Sequence, residues 1–219
     1  MRTGSEMAHG GSTGSGDYSA RILVLFAHPA FQRSRVNRVL AAAAKRVVGV
    51  TFHDLYEAYP DFDIDVAKEQ ALLLAHDFVV YQHPFFWYST PAILKEWQDL
   101  VLEHGWAYGS EGTALRGKYF LNVISTGGRE EAYQHEGHNR FTMRELLAPI
   151  EQTARLCGME FLPPFVTHGT HRMTPEQIEA HGRDYGRLLE AIRDGRVDLQ
   201  AARAYPRLNS DLDQIVGRS

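Results

Sequence analysis

Five short apolar runs, separated by stretches with helical spacing, constrain this 219-residue chain more than any other feature: "RILVLFAH", "VVGVTFHDLY", "DFVVYQHP", "KYFLNVISTGG" and "MEFLPPFVTHG". Strands that are apolar without interruption are those buried on both faces, as parallel strands are. Between the first two runs, Val36, Leu40, Ala43, Ala44 and Val47 recur at helical spacing, and Ser34 is available as N-cap. Residues 65–75 read as a helix. Pro91 suits the first turn of another, with Ile93, Leu94, Trp97, Leu100 and Val101 on one face and a stop near Gly105. Pro175 to Ile192 reads as a closing helix. Strand–helix alternation implies right-handed crossovers. The expected fold is a three-layer α/β domain, a five-stranded parallel sheet with helices on both faces.

In such sheets ligands bind beyond the carboxyl ends of the strands, where the strand order switches. Strand one leads into "AHPAFQRS", strand three into "QHPFFWYST" and strand four into "STGGREEAY". In the first loop, the helix turn at Ser34 to Asn37 suits a phosphate, with Arg33 or Arg35 adding charge; it is equally an ordinary N-capped helix. In the second, Phe85, Phe86, Trp87 and Tyr88 stand between Pro84 and Pro91. They suit a planar heteroaromatic ligand, a hydrophobic interface, or both. In the third, Gly127 and Gly128 permit close backbone approach, and Tyr133 and His138 are either proton donors or plain surface. Neither G-x-G-x-x-G nor G-x-x-x-x-G-K-[ST] occurs. Some zinc deacetylases also open on a strand ending in His-Pro, but acidic residues follow there. Here Ala30, Phe31 and Gln32 follow His28, so no metal is expected.

A net charge of -4 gives no reason to expect nucleic acid as a partner. A single cysteine, Cys157, excludes an intrachain disulfide and points to a reducing compartment, the cytoplasm. No apolar run approaches the ~20 residues needed to span a bilayer. Residues 1–20 are Gly/Ser-rich and read as a flexible leader, 21–195 as the domain, and 196–219 as a polar tail, docked or loose.

Five motifs occur together in order: "AHP…S-x-x-N" (His28, Ser34, Asn37), "DLY-x-x-YPDFDID" (Asp54 to Asp65), "QHPFFWYSTPAILKEW", "HGWAYG" (His104 to Gly109) and "STGG". In this combination the chain resembles the flavodoxin-like NAD(P)H:quinone oxidoreductases, closest to the ancillary subunits of glutathione-gated potassium efflux systems. The resemblance implies a bound flavin, FMN in preference to FAD, with NAD(P)H as reductant and a quinone-like acceptor served by ping-pong hydride transfer. His28, Ser34, Arg35, Val36 and Asn37 would follow the flavin phosphate and ribityl chain. Pro84, Phe85, Phe86 and Trp87 would line the ring, with Ser125, Thr126, Gly127 and Gly128 on its other side. Tyr133, and His138 across a one-residue gap, would match the family's hydride-transfer pair. The resemblance further implies a homodimer with sites at the interface, and a role as regulatory subunit on the cytoplasmic domain of a membrane transporter, peripheral at the inner membrane face. Two departures stand out: Phe86 replaces the usual Gln of the quinone reductases, and Arg129-Glu130-Glu131 replaces a glycine-richer stretch.

Overall fold

The computed structural model describes residues 19–216, so all but the last two residues of the expected leader lie outside the described residues. Strand β1 (Ile22–Phe26) leads through a short 3-10 turn to α1 (Val36–Arg46), then β2 (Val50–Asp54), α2 (Leu55–Ala58), α3 (Val66–Ala75), β3 (Phe78–Pro84), α4 (Ala92–Val101) and β4 (Tyr119–Ser125). Next come α5 (Met143–Leu146), α6 (Ala148–Leu156), β5 (Glu160–Phe161), β6 (Phe165–Thr167), α7 (Pro175–Arg193), α8 (Leu199–Ala202) and α9 (Leu212–Ile215). All strand pairs are parallel, in the order β2-β1-β3-β4-β5 with β6 also on β4. The chain leaves β1 toward one edge and returns on its other side as β3, so the order switches between these two strands.

The sheet has six strands rather than five, for a local reason. The fifth run is divided by Pro163 and Pro164, which have no N–H to give a ladder. Its two halves pair separately with β4, Phe161 beside Phe120 and Phe165 beside Val123. The second strand is also shorter than its apolar run, because Val47 to Gly49 form a turn in which Gly49 adopts φ +86°. At α1, the Ser34 hydroxyl accepts the Asn37 amide at 3.1 Å, as expected of a cap. By contrast, α4 has Pro91 at its N-cap and no side-chain cap. Helices α5 and α6 were not foreseen. The sequence signal for α5 is a capping box, Thr142 with Glu145, and for α6 the proline of its first turn, Pro149.

Two apolar layers sandwich the sheet. Leu25, Tyr81, Trp97, Phe120 and Ile150 build one; Val24, Leu40, Val80, Phe165 and Tyr185 build the other. The tail between residues 196 and 216 docks on the second layer, burying Ala202, Leu208, Leu212 and Ile215. In that layer α1 and α7 meet at Gly182, where an added Cβ would stand 2.6 Å from Val39 Cγ1. Val39 is β-branched and stiff in a helix, so it cannot swing aside freely. Gly182→Ala is therefore expected to destabilise by about 1 kcal/mol: overpacking costs roughly 1–3 and better helix propensity returns at most ~1. Thermal unfolding of the variant checks this; a raised midpoint would contradict it.

Candidate functional site

The carboxyl ends of β1, β3 and β4 open onto one cavity of about 450 Å³. It is lined by His28, Ala30, Arg33 to Asn37, Pro84 to Phe86, Ser125 to Gly127, and Thr170 with His171. That size falls within the range of small-molecule sites. Its walls are stitched together by backbone bonds. Phe85 N donates to Ser125 O at 2.8 Å, Thr126 N to Thr167 O at 2.9 Å, and Thr170 N to Thr126 O at 3.1 Å. Three loops far apart in sequence thus form one rim.

On the first wall, α1 points its N-terminus at the cavity. Among the described residues only the Asn37 amide of the first turn has a partner, the Ser34 hydroxyl, and the remaining first-turn N–H groups stand at the positive end of the helix dipole. Asn37 itself is buried. Its Nδ2 donates to Ser125 Oγ at 2.8 Å, and its Oδ1 has no partner among the described residues. A buried unpaired acceptor beside a row of free donors is what a polyhydroxylated phosphate ester would satisfy. His28 is buried, which pushes its imidazole below the ordinary value. Its Nδ1 accepts the Ala30 amide at 3.1 Å, so the neutral ring carries its proton on Nε2.

The aromatic wall is a tight turn. Phe86 pairs with Ser89, Ser89 N donating to Phe86 O at 3.1 Å, and the two residues between, Trp87 and Tyr88, have φ of +50° and +62°. Two consecutive left-handed residues are the geometry of a type I′ turn, which favours Asn-Gly and strains bulky side chains. The turn divides the four aromatics. Phe85 is buried beneath the cavity, Phe86 is half exposed on its wall with its ring edge-on to His28 at 6.0 Å, and Trp87 is 93% exposed and outside the lining. Tyr88 leans to the third loop, its hydroxyl donating to Asn139 Oδ1 at 3.1 Å.

On the third wall, Thr126 and Gly127 line the cavity and Gly128 lies just behind. An added Cβ at Gly128 would press on the Tyr133 ring at 2.9 Å. Tyr133 is buried, and its hydroxyl shares a hydrogen bond with Thr126 Oγ1, so it reaches the rim through that hydroxyl. His138 is exposed and does not line the cavity. Thr170 and His171, on the rim, were missed in the sequence. Their signal was available: "THGTH" follows the end of the fifth run as the other loops follow theirs. No group of three or more His, Cys, Asp or Glu among the described residues is arranged to hold a metal ion. No helix among them is long and apolar enough to cross a membrane.

Comparison with known proteins bears on the fold and the family. A glutathione-regulated potassium-efflux system ancillary protein, KefG of Enterobacter sp. (strain 638), is 46% identical over 171 residues, 78% of this chain and 93% of its own. The general stress protein 14 of Treponema denticola, solved in complex with FMN, superposes with a TM-score of 0.75 at 38% identity, covering 78% of this chain and 99% of that one. An NADPH-quinone reductase from P. pentosaceus gives a TM-score of 0.70 at 33% identity, over 77% and 97% of the two chains. The family model described as "Flavodoxin-like fold" matches residues 20–189, and with most of its length so matched, this chain belongs to the flavodoxin-like fold family.

Proposed function

We propose that the protein is a flavin-dependent NAD(P)H:quinone oxidoreductase, with residues 21–195 as the flavin-binding domain and FMN as the preferred flavin. The observation that carries this reading is the cavity at the strand-order switch, where a helix N-terminus, an aromatic turn and a Gly-rich loop share one rim. Bound flavin would supply the two-electron chemistry, accepting hydride from NAD(P)H and passing it to a quinone or related electrophile. The chain's own groups supply the rest. The first turn of α1 with Ser34 and Arg35 holds the phosphate, Asn37 and His28 meet the polyol chain, and Pro84 to Phe86 wall one side of the ring. The Gly127 backbone amide favours negative charge at the ring's polar edge, the Thr126 amide being held by Thr167 O. The Thr126–Tyr133 hydroxyl pair holds a proton for the developing hydroquinone oxygen. His138 joins in this only if the loop closes over substrate.

A second reading is regulatory. The exposed aromatics Trp87, Tyr88 and Phe86 form a patch beside the cavity that suits a protein interface, as a homodimer contact or as docking on a transporter's cytoplasmic domain. The two readings are compatible. The deciding measurement is an absorption spectrum of the protein before and after incubation with FMN and FAD, with mass analysis of released flavin and assay of quinone-dependent NAD(P)H oxidation. A flavin spectrum and turnover are expected; a protein that stays colourless with both flavins rejects the enzymatic reading.

A further inference from the structure

We infer that the segment from residue 196 to 216 is a strap that holds the loop following β4 in place, with Arg207 as its positioning residue. The family match ends at Leu189, so this segment lies beyond what the family model covers. It grips the sheet at the far side of β6. Asn209 Nδ2 donates to Val166 O at 2.8 Å while Asn209 Oδ1 accepts the Val166 amide at 2.9 Å. One side chain thus stands in for a neighbouring strand at a free edge. Leu208 N donates to Pro164 O at 2.9 Å, completing the seam. Ser210 Oγ donates to Arg207 O at 2.6 Å and fixes the turn from which Arg207 reaches out.

Arg207 forms an ion pair with Glu130, 77 positions earlier. Glu130 begins the short 3-10 turn of residues 130–132, and its carbonyl accepts the Tyr133 amide at 2.9 Å. Tyr133 in turn bonds Thr126 on the cavity rim. A shift at Arg207 therefore reaches the rim through two covalently adjacent hydrogen bonds. His168 fills the angle between the parts. Its ring lies 5.3 Å from that of Tyr133, and burial, with the Arg207 charge beside it, lowers its imidazole to about 4. The neutral ring packs on Tyr133 without competing for Glu130. The Arg207 contact is not needed to dock the segment, since Leu208, Leu212 and Ile215 already bury its apolar side. Its consequence is local.

The inference rests on the proposed function only for what the loop does, and hydrogen exchange of the full chain without added flavin tests it separately. Arg207→Ala is expected to speed amide exchange at residues 130–134 about fivefold, the effect of a partly exposed pair, while β1 and β3 amides keep their rates. Glu130→Gln should do the same, the double variant should add little, and Arg207→Lys should recover most of the protection. Unchanged exchange in the loop, equal acceleration in β1 and β3, or full additivity of the two substitutions would overturn the strap. A protein that binds no flavin would reject the proposed function and leave the exchange result standing.

Discussion

Glu69→Ala is expected to lower the unfolding free energy by about 3–5 kcal/mol, a large share of the roughly 5–15 that holds a typical domain. The carboxylate of Glu69 is wholly buried, on the apolar side of α3. It accepts three hydrogen bonds: from His53 Nε2 at 2.8 Å, Tyr59 Oη at 2.5 Å and Trp97 Nε1 at 2.8 Å. These donors come from β2, the segment after α2, and α4, so one side chain ties together most of that layer. Burial alone would raise the carboxyl, but the bonds from His53, Tyr59 and Trp97 outweigh it and hold the group below its ordinary value. Removing the carboxylate leaves a cavity and three unpartnered donors, each costing about 1–3 kcal/mol, partly relieved by entering water. Glu69→Gln keeps the volume but sets an amide N–H₂ against donors, so an intermediate loss is expected. Because the folded group titrates lower than the unfolded one, its contribution is complete above the ordinary carboxylate value. It fades as pH falls through the lower folded value. Urea unfolding of wild type and Glu69→Ala should therefore differ most near neutral pH and converge in acid. A difference below ~1 kcal/mol at neutral pH would show that water replaces the carboxylate.

How much of this was legible in the sequence depends on whether a residue speaks through its neighbours or through distant ones. Val24 and Val80 sit in short apolar runs, and Leu121 in one interrupted only by Asn122, so the central strands and their burial could be read directly. The split at Pro163–Pro164 was also written locally, and reading those prolines as ladder breaks would have yielded six strands. The rim residues at the ends of β1, β3 and β4 followed from topology. What could not be read is side-chain direction in a strained turn. Nothing in "PFFWYS" distinguishes Phe86 on the wall from Trp87 in solvent; that follows from left-handed φ at Trp87 and Tyr88. Nor could pairings at long separation be read, such as Glu69 with Trp97 or Glu130 with Arg207. Each partner alone is an unremarkable polar or aromatic residue.

Gly127→Val is expected to weaken FMN binding by about a hundredfold, close to 2.7 kcal/mol, while leaving the fold intact. Gly127 is on the cavity rim, facing His171, which lines the same cavity. An added Cβ would lie 2.5 Å from His171 Nε2 and 2.7 Å from its Cδ2. His171 is exposed, so for a single methyl its ring can swing away, and Gly127→Ala should cost no more than about tenfold. Valine adds two branches at χ1 with little freedom, and at least one must enter space the ligand needs. The backbone gives no relief, because the flanking Thr126 amide is held by Thr167 O and Gly128 O accepts the Gly169 amide at 2.8 Å. Stability should change little, since the loop is at the rim and no core contact is displaced. Fluorescence titration with FMN on wild type, both Gly127 variants and each combined with His171→Ala separates the causes. If crowding against His171 dominates, removing that ring restores most of the affinity to Gly127→Ala and only part to Gly127→Val, whose branches still occupy the cavity. Wild-type affinity in Gly127→Val alone would mean that FMN does not lie against this glycine, and the cavity would have to be assigned to another ligand.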